Sequence, residues 1–461
     1  MLQSIIKEPL KGTFKAWDSY WFHPAPLLNL AICRIIVIGF QLYHLLSNAY
    51  GKRILVEGHL PGRVFEPLPV FQMLNWPFPW NAPPSLFLSA VFIAMIASGV
   101  SSLCGFKTRL SLFIFAFSNL YIQTYLYSFG RHHHTETLTL MALFLLAIAP
   151  SGKALSLDGL SSHLRRTARQ KTVQSANEMQ RTNPFARWPL LATQWLFALV
   201  YLSAGINKVN ADGPGLFTAE WMNGYTLQYY LMQDGLRWGS DIGIWLSQFH
   251  VFAILSSWFA VLFEVTFWLV LPFPKLVSLF IPLGIALHTG IWMAQRAPFF
   301  QYLALYAVFI PWTAVFKAIA HRFRWHPRPI QNPKHPPIQN KPQAKLFYSS
   351  QHQLSLHLAS LIAYFDWFNQ IDYVELETSP HPLPKQHIQQ HIKSRQGTIS
   401  ETLYWVKPDH KMTTGNDIKK GFEALRESMG YCPVLWPLKW ICAISAIQVL
   451  FKRTYAICRV S

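Results

Sequence analysis

Arg34, Lys208, Glu264 and His288, together with the run Arg131-His132-His133-His134-Thr135-Glu136, lie within or beside long apolar stretches. A charged side chain at mid-bilayer costs roughly 2.5–3.5 kcal/mol on insertion scales, so one retained there is a candidate for function. Lys208 follows LVYLSAGIN at the end of an apolar run. An amine stripped of solvent can take a proton as a base, whereas a lysine that snorkels to the interface has only a structural role. Ala204-Gly205, one turn earlier, allows another helix or a ligand close to that face. His288, in IALHTGIW, faces a bundle interior, where a satisfied structural hydrogen bond is the commoner role. The histidine run is either a polar cap that ends a hairpin or a set of proton carriers. A metal site is disfavoured there, because adjacent histidines point apart and no i, i+4 pattern completes a tetrahedral set. Arg34 and Glu264 fall at matching depths in their runs, which predicts a buried structural ion pair.

The elements that must position these residues are membrane helices. Of 461 residues, 51% are hydrophobic and 13% charged, about half the charged share of an ordinary soluble chain. Apolar runs at 26–48, 84–104, 109–129, 135–150, 188–206, 250–272, 276–295 and 298–318 predict about eight spans. The net charge of +19 sits in the loops. Lys7, Lys11, Lys15, Lys107, Arg109, the basic 152–187 loop and Arg322 to Arg328 fall on one side of an eight-span chain. That side is predicted to be cytoplasmic, and nucleic acid is a poor explanation of the charge. The 207–249 loop then faces out and carries a helix-like stretch at Tyr225–Met232. His132–His134, Lys208 and His288 all fall in the outer half, where they can line one pocket.

Residues 326–345 are proline-rich and polar, a linker. Beyond them the texture is that of a soluble α/β domain. Strands are predicted at 345–349, 371–377 and 402–407, with helices at 351–369 and from about Asp417 to Met429. Trp436–Trp440 suits a membrane-interface helix. The five cysteines form no CxxC motif, so a zinc site or a dithiol centre has no support.

The stretches RHHHTETLTLMALFLLAIAPSGKALSLDGL, QWLFALVYLSAGINKVNADGPGLFTAEWMNGYTLQYYL and IALHTGIWMAQRAPFFQYLALYAVFIPW resemble the membrane domain of vitamin K-dependent gamma-carboxylase. They equally resemble its bacterial relatives, the HTTM (horizontally transferred transmembrane) proteins. The resemblance implies that Lys208 is the base that deprotonates reduced vitamin K or menaquinone. It also implies that His134, or His133 under a shifted alignment, and His288 assist. Trp221, Tyr225 and His133 are then the expected substrate contacts. The tail resembles the DCC family of thiol–disulfide oxidoreductase-like, thioredoxin-like domains, through VKPDHKMTTGNDIKKGFEALRESMG and TYAICRV. Where that family has Asp-x-x-Cys-x-x-Cys, this chain has Ser349-Ser350-Gln351-His352-Gln353-Leu354-Ser355. Without a thiolate there is no thiol–disulfide exchange.

The expectation is therefore a mostly α polytopic membrane bundle over 1–325, a linker over 326–345, and a cysteine-less thioredoxin-like domain over 346–461. The expected place is a bacterial inner membrane, with the tail cytoplasmic. Its expected partners are the lipid bilayer and a quinone or lipid-like molecule, with no metal. Two classes stay open: an enzyme using a lysine base on a reduced quinone, and a non-catalytic lipid or quinone binder or scaffold.

Overall fold

The computed structural model describes residues 15–47, 65–78, 80, 82–130, 135–210, 221–297, 299–322, 344–377, 403–406 and 418–442. The expected residues His132, His133 and His134 lie outside them. The chain forms two compact units, Met1–Lys153 with Thr182–Trp312, and Ala154–Arg181 with Thr313–Ser461.

The first unit is helical: α1 Leu27–Ser47, α2 Ser85–Cys104, α3 Thr108–Tyr127 and α4 Thr135–Ile148. The chain returns to this unit as α6 Trp188–Asn210, α7 Tyr225–Trp238, α8 His250–Thr266 and α9 Val277–Gln295. Among the described residues five helices are long and apolar enough to cross a membrane, or six if a broken pair counts as one span. α3 carries buried Ser111, Asn119, Gln123 and Thr124, and α4 has only 14 residues, so neither joins that set. The eighth expected run is not one helix but the pair α10 Gln301–Phe309 and α11 Trp312–Arg322. Pro311 sits at the break, and Ile310 before it is extended (φ −87°, ψ 122°). A proline lacks an amide donor and pushes its predecessor out of helical geometry.

The second unit combines a loop with the tail. α5 Leu157–Gln170, capped by Ser156 on the Gly159 amide, comes from the basic loop. The tail supplies β1 Ala344–Tyr348, α12 Gln353–Phe365, β2 Ile371–Glu375, β3 Tyr404–Val406, β4 Ile418–Lys420 and α13 Phe422–Met429. The sheet order is β2-β1-β3-β4, with β1 parallel to β2 and the other pairs antiparallel. Residues 418–420, expected as the start of a helix, form the edge strand β4, and Gly421 (φ 57°) turns the chain into α13.

Loop and tail are joined through the core. Val173 is buried with Leu346, Tyr348, Ile362 and Trp405. The Val173 amide donates to the Tyr348 hydroxyl at 3.0 Å and the Ala176 amide to the Ala363 carbonyl at 3.0 Å. Ser360 donates to Thr167 at 2.9 Å, Ser175 to the Asp366 carbonyl at 2.9 Å, and Tyr364 to the Ser156 carbonyl at 3.2 Å. The tail expected to begin at 346 thus shares its core with residues 154–181.

Candidate functional site

α6 presents Tyr201, Gly205 and Lys208 at helical spacing, so they share one face. That face meets α8 closely. A Cβ added at Gly205 would lie 2.7 Å from Val265 Cγ2 and 3.1 Å from the Val265 backbone nitrogen. The absence of a side chain at 205 lets the two helices approach, as Ala204-Gly205 leads one to expect. Gly205→Ala should therefore push α6 off α8 and cost roughly 1–3 kcal/mol. A thermal-unfolding midpoint unchanged from the parent protein would show that the contact is soft.

The close approach puts Lys208 on Glu264. Lys208 Nζ donates to both carboxylate oxygens at 2.6 Å, and it stands 5.3 Å from the centre of the Trp221 ring. The two side chains are 20% and 11% exposed, so the pair is largely desolvated. Trp221, expected as a substrate contact, thus covers the ammonium by a cation–π contact. Tyr225, the other expected aromatic contact, is exposed and packs against His250 in a tilted arrangement, with ring centres 4.4 Å apart.

The predicted Arg34–Glu264 pair is not formed. Glu264 takes its hydrogen bonds from Lys208, and Arg34, fully buried, donates to the Ser151 carbonyl at 2.6 Å. Counting depth from the ends of the apolar runs misplaces Glu264 because α6 and α8 are staggered. Phe197 and Tyr201 pack on Phe267, Gly205 on Glu264 and Val265, and Val209 on the Val261 cluster. α8 therefore begins well beyond the end of α6, and α6 continues past the expected residue 206 to Asn210.

A second polar group lies on the same face of α6, two turns from Lys208, about 10 Å along the helix. The Tyr201 hydroxyl is 2.6 Å from His288 Nε2 and 2.5 Å from the Tyr306 hydroxyl. Phe197, Phe263, Phe267 and Tyr302 surround it. Gly284 on α9 makes room, since a Cβ there would fall on the Tyr306 hydroxyl. His288 Nδ1 is buried with no partner among the described residues. Lys208 and His288 thus enter two hydrogen-bonded groups joined by one helix face.

Tyr201 and Tyr306 escape a sequence search because tyrosines are ordinary in an aromatic-rich chain. The spacing of Tyr201 from Lys208 is the signal that could have found it. Glu136, noted beside the histidine run, pairs with His44 of α1 at 3.0 Å, both buried. Chemically, the face offers an ammonium with its counter-ion, an aromatic lid, and a chain of hydroxyl and imidazole groups able to pass protons.

No curated protein and no solved structure matches this chain significantly. The HTTM domain family model matches residues 22–313, well over half of the chain and across every helix that carries the Lys208 and His288 groups. On that match the protein belongs to the HTTM domain family and is a membrane protein with several apolar membrane-capable helices.

Proposed function

We propose that this carboxylase-like membrane protein binds a reduced naphthoquinone, of the vitamin K or menaquinone class, against the α6 face, and that Lys208 takes the proton of its hydroxyl. The observation that carries this proposal is the Lys208–Glu264 pair under Trp221, a charged centre with an aromatic wall inside an apolar bundle. The pair acts as one unit. Largely desolvated, it can move its shared proton onto Glu264, which leaves a neutral amine. The amine then accepts the hydroxyl proton and the ring is left as a quinolate. Dioxygen is the oxidant that consumes it: hydroquinone and O₂ give the epoxide and one water. Tyr201, His288 and Tyr306 carry protons away from the pair, with His134 and His133 as further carriers. The basic loops and the tail unit are cytoplasmic, and the site opens to the other face of a bacterial inner membrane.

The ion pair itself favours a second proposal, a non-catalytic binder. A lysine held by two carboxylate oxygens is a hydrogen-bond donor first, and it can anchor a quinone carbonyl or a lipid ester without chemistry. Extraction and mass spectrometry of lipids co-purified with the protein test binding in either case. A quinone at near-stoichiometric level in the parent protein, lost in Trp221→Leu, is the expected result. The same quinone level in the Trp221→Leu protein would remove this face as the binding site.

The tail is proposed to be a thioredoxin-like module without redox activity. Its β2-β1-β3-β4 order, with a helix between the two parallel strands, supports that assignment. At the end of β1, where a dithiol would stand, Ser349 donates to Glu377, and His352 caps α12 on the Ser355 amide.

A further inference from the structure

The second unit contains a cavity of about 720 Å³ between α5, the segment after it, and β2. Nothing in the family assignment gives it a role. Arg166, Arg181 and Lys345 line it, against one acidic lining residue, Asp372. Arg166 is exposed, and neither it nor Lys345 forms an ion pair among the described residues. Arg181 holds Glu178 at 2.5 Å. Burial pushes Glu178 up to about 7, against the pull of Arg181.

Two further lining residues leave hydrogen-bonding capacity unused. Asn177 is 3% exposed, and its Nδ2 has no partner among the described residues. His163 is 7% exposed, and its Nε2 is likewise without one. A buried amide nitrogen without a partner costs about 1–3 kcal/mol, so its retention calls for an acceptor that is supplied from outside. Burial, and after it Arg166 and Arg181, push His163 down to about 4, so the ring is neutral. It therefore adds no charge to the cavity, and the positive field there comes from the arginines and Lys345.

We propose that this cavity binds a phosphate-bearing small molecule, with Arg166 and Lys345 as its charge partners and Asn177 as a neutral donor. A guanidinium fork and a lysine point charge together suit the several oxygens of a phosphate better than a single carboxylate. The polar lining also argues against an apolar ligand. The phosphate belongs either to a soluble ester or to a lipid headgroup, and both present the same oxygens.

The test is calorimetric titration of the full-length protein in a neutral detergent. Three probes are used separately: inorganic phosphate, adenosine 5′-monophosphate, and dihexanoyl phosphatidylglycerol. Saturable binding of at least one probe is expected. It should weaken roughly tenfold or more in R166Q and again in K345Q, the usual scale for losing a charge-assisted hydrogen bond. Both variants keep the parent unfolding temperature, because neither residue forms an ion pair among the described residues. Binding of inorganic phosphate or the nucleotide identifies a soluble ester, and binding of the lipid alone identifies a headgroup. No saturable binding of any probe up to tens of millimolar would overturn the proposal. So would binding that R166Q and K345Q leave unchanged.

Discussion

Lys208→Met should destabilise the first unit by about 3 kcal/mol, because it strands a desolvated carboxylate with no cation beside it. The figure is the lower end of the range for breaking a buried pair, since the Lys208 side chain keeps 20% of its exposure. Glu264→Gln alone should cost less, as the ammonium can still donate to the amide oxygen. Lys208→Met combined with Glu264→Gln should recover most of the loss, and that non-additivity is the signature of a direct pair. Thermal unfolding of the four proteins in one detergent measures it. Additive losses would show that the two side chains do not depend on each other. Arg34→Met is the informative control. It removes the donor to the Ser151 carbonyl, and its loss should simply add to that of Glu264→Gln.

A comparably large effect is expected when the loop is taken away from the tail. The segment 344–461 expressed without 154–181 should show no cooperative unfolding transition. Removal exposes the core beside Val173 and leaves the Tyr348 and Tyr364 hydroxyls and the Ala363 carbonyl without their partners. At about 1 kcal/mol or more for each lost hydrogen bond, plus the buried valine, the loss approaches the whole stability of a small domain. Fusing 154–181 to the tail through a flexible linker should restore the transition. A cooperative transition in the tail alone, at the same midpoint as in the fusion, would show that the loop only decorates a finished domain. Within the intact chain, Val173→Asp should melt the second unit by burying an unpaired charge.

Much of this arrangement was legible in the sequence because membrane helices announce themselves by composition. The apolar runs locate the helices, Gly205 signals a close helix contact, and proline-rich residues 326–345 mark where the texture changes. The tail strands at 344–348, 371–375 and 404–406 were legible from alternation and β-branched or aromatic residues. What escaped is whatever depends on stagger or on distant pairing. Matching Arg34 with Glu264 assumed that depth can be counted from run ends, and the offset of α8 against α6 breaks that assumption. The run at 298–318 was read as one span by its apolar composition, and the break at Pro311 divides it into two helices. The insertion of residues 154–181 into the tail core has no local signature, because Val173 stands in a polar loop and only its partners 175 residues away explain it. Tyr201 and Tyr306 matter through one shared hydrogen bond across 105 residues.

The central claim is that the Lys208–Glu264 pair is a proton-accepting unit for a reduced quinone, and oxygen uptake tests it most directly. Purified protein is supplied with vitamin K hydroquinone or reduced menaquinone, and oxygen consumption is recorded beside epoxide formation. Lys208→Arg keeps a cation opposite Glu264 but cannot accept a proton, because a guanidinium stays charged. The account predicts turnover by the parent protein, none by Lys208→Arg, and retained quinone binding and unfolding temperature in that variant. Equal turnover by parent and Lys208→Arg would contradict it. A parent protein that binds quinone and consumes no oxygen would contradict the catalytic claim as well, and leave the pair as an anchor.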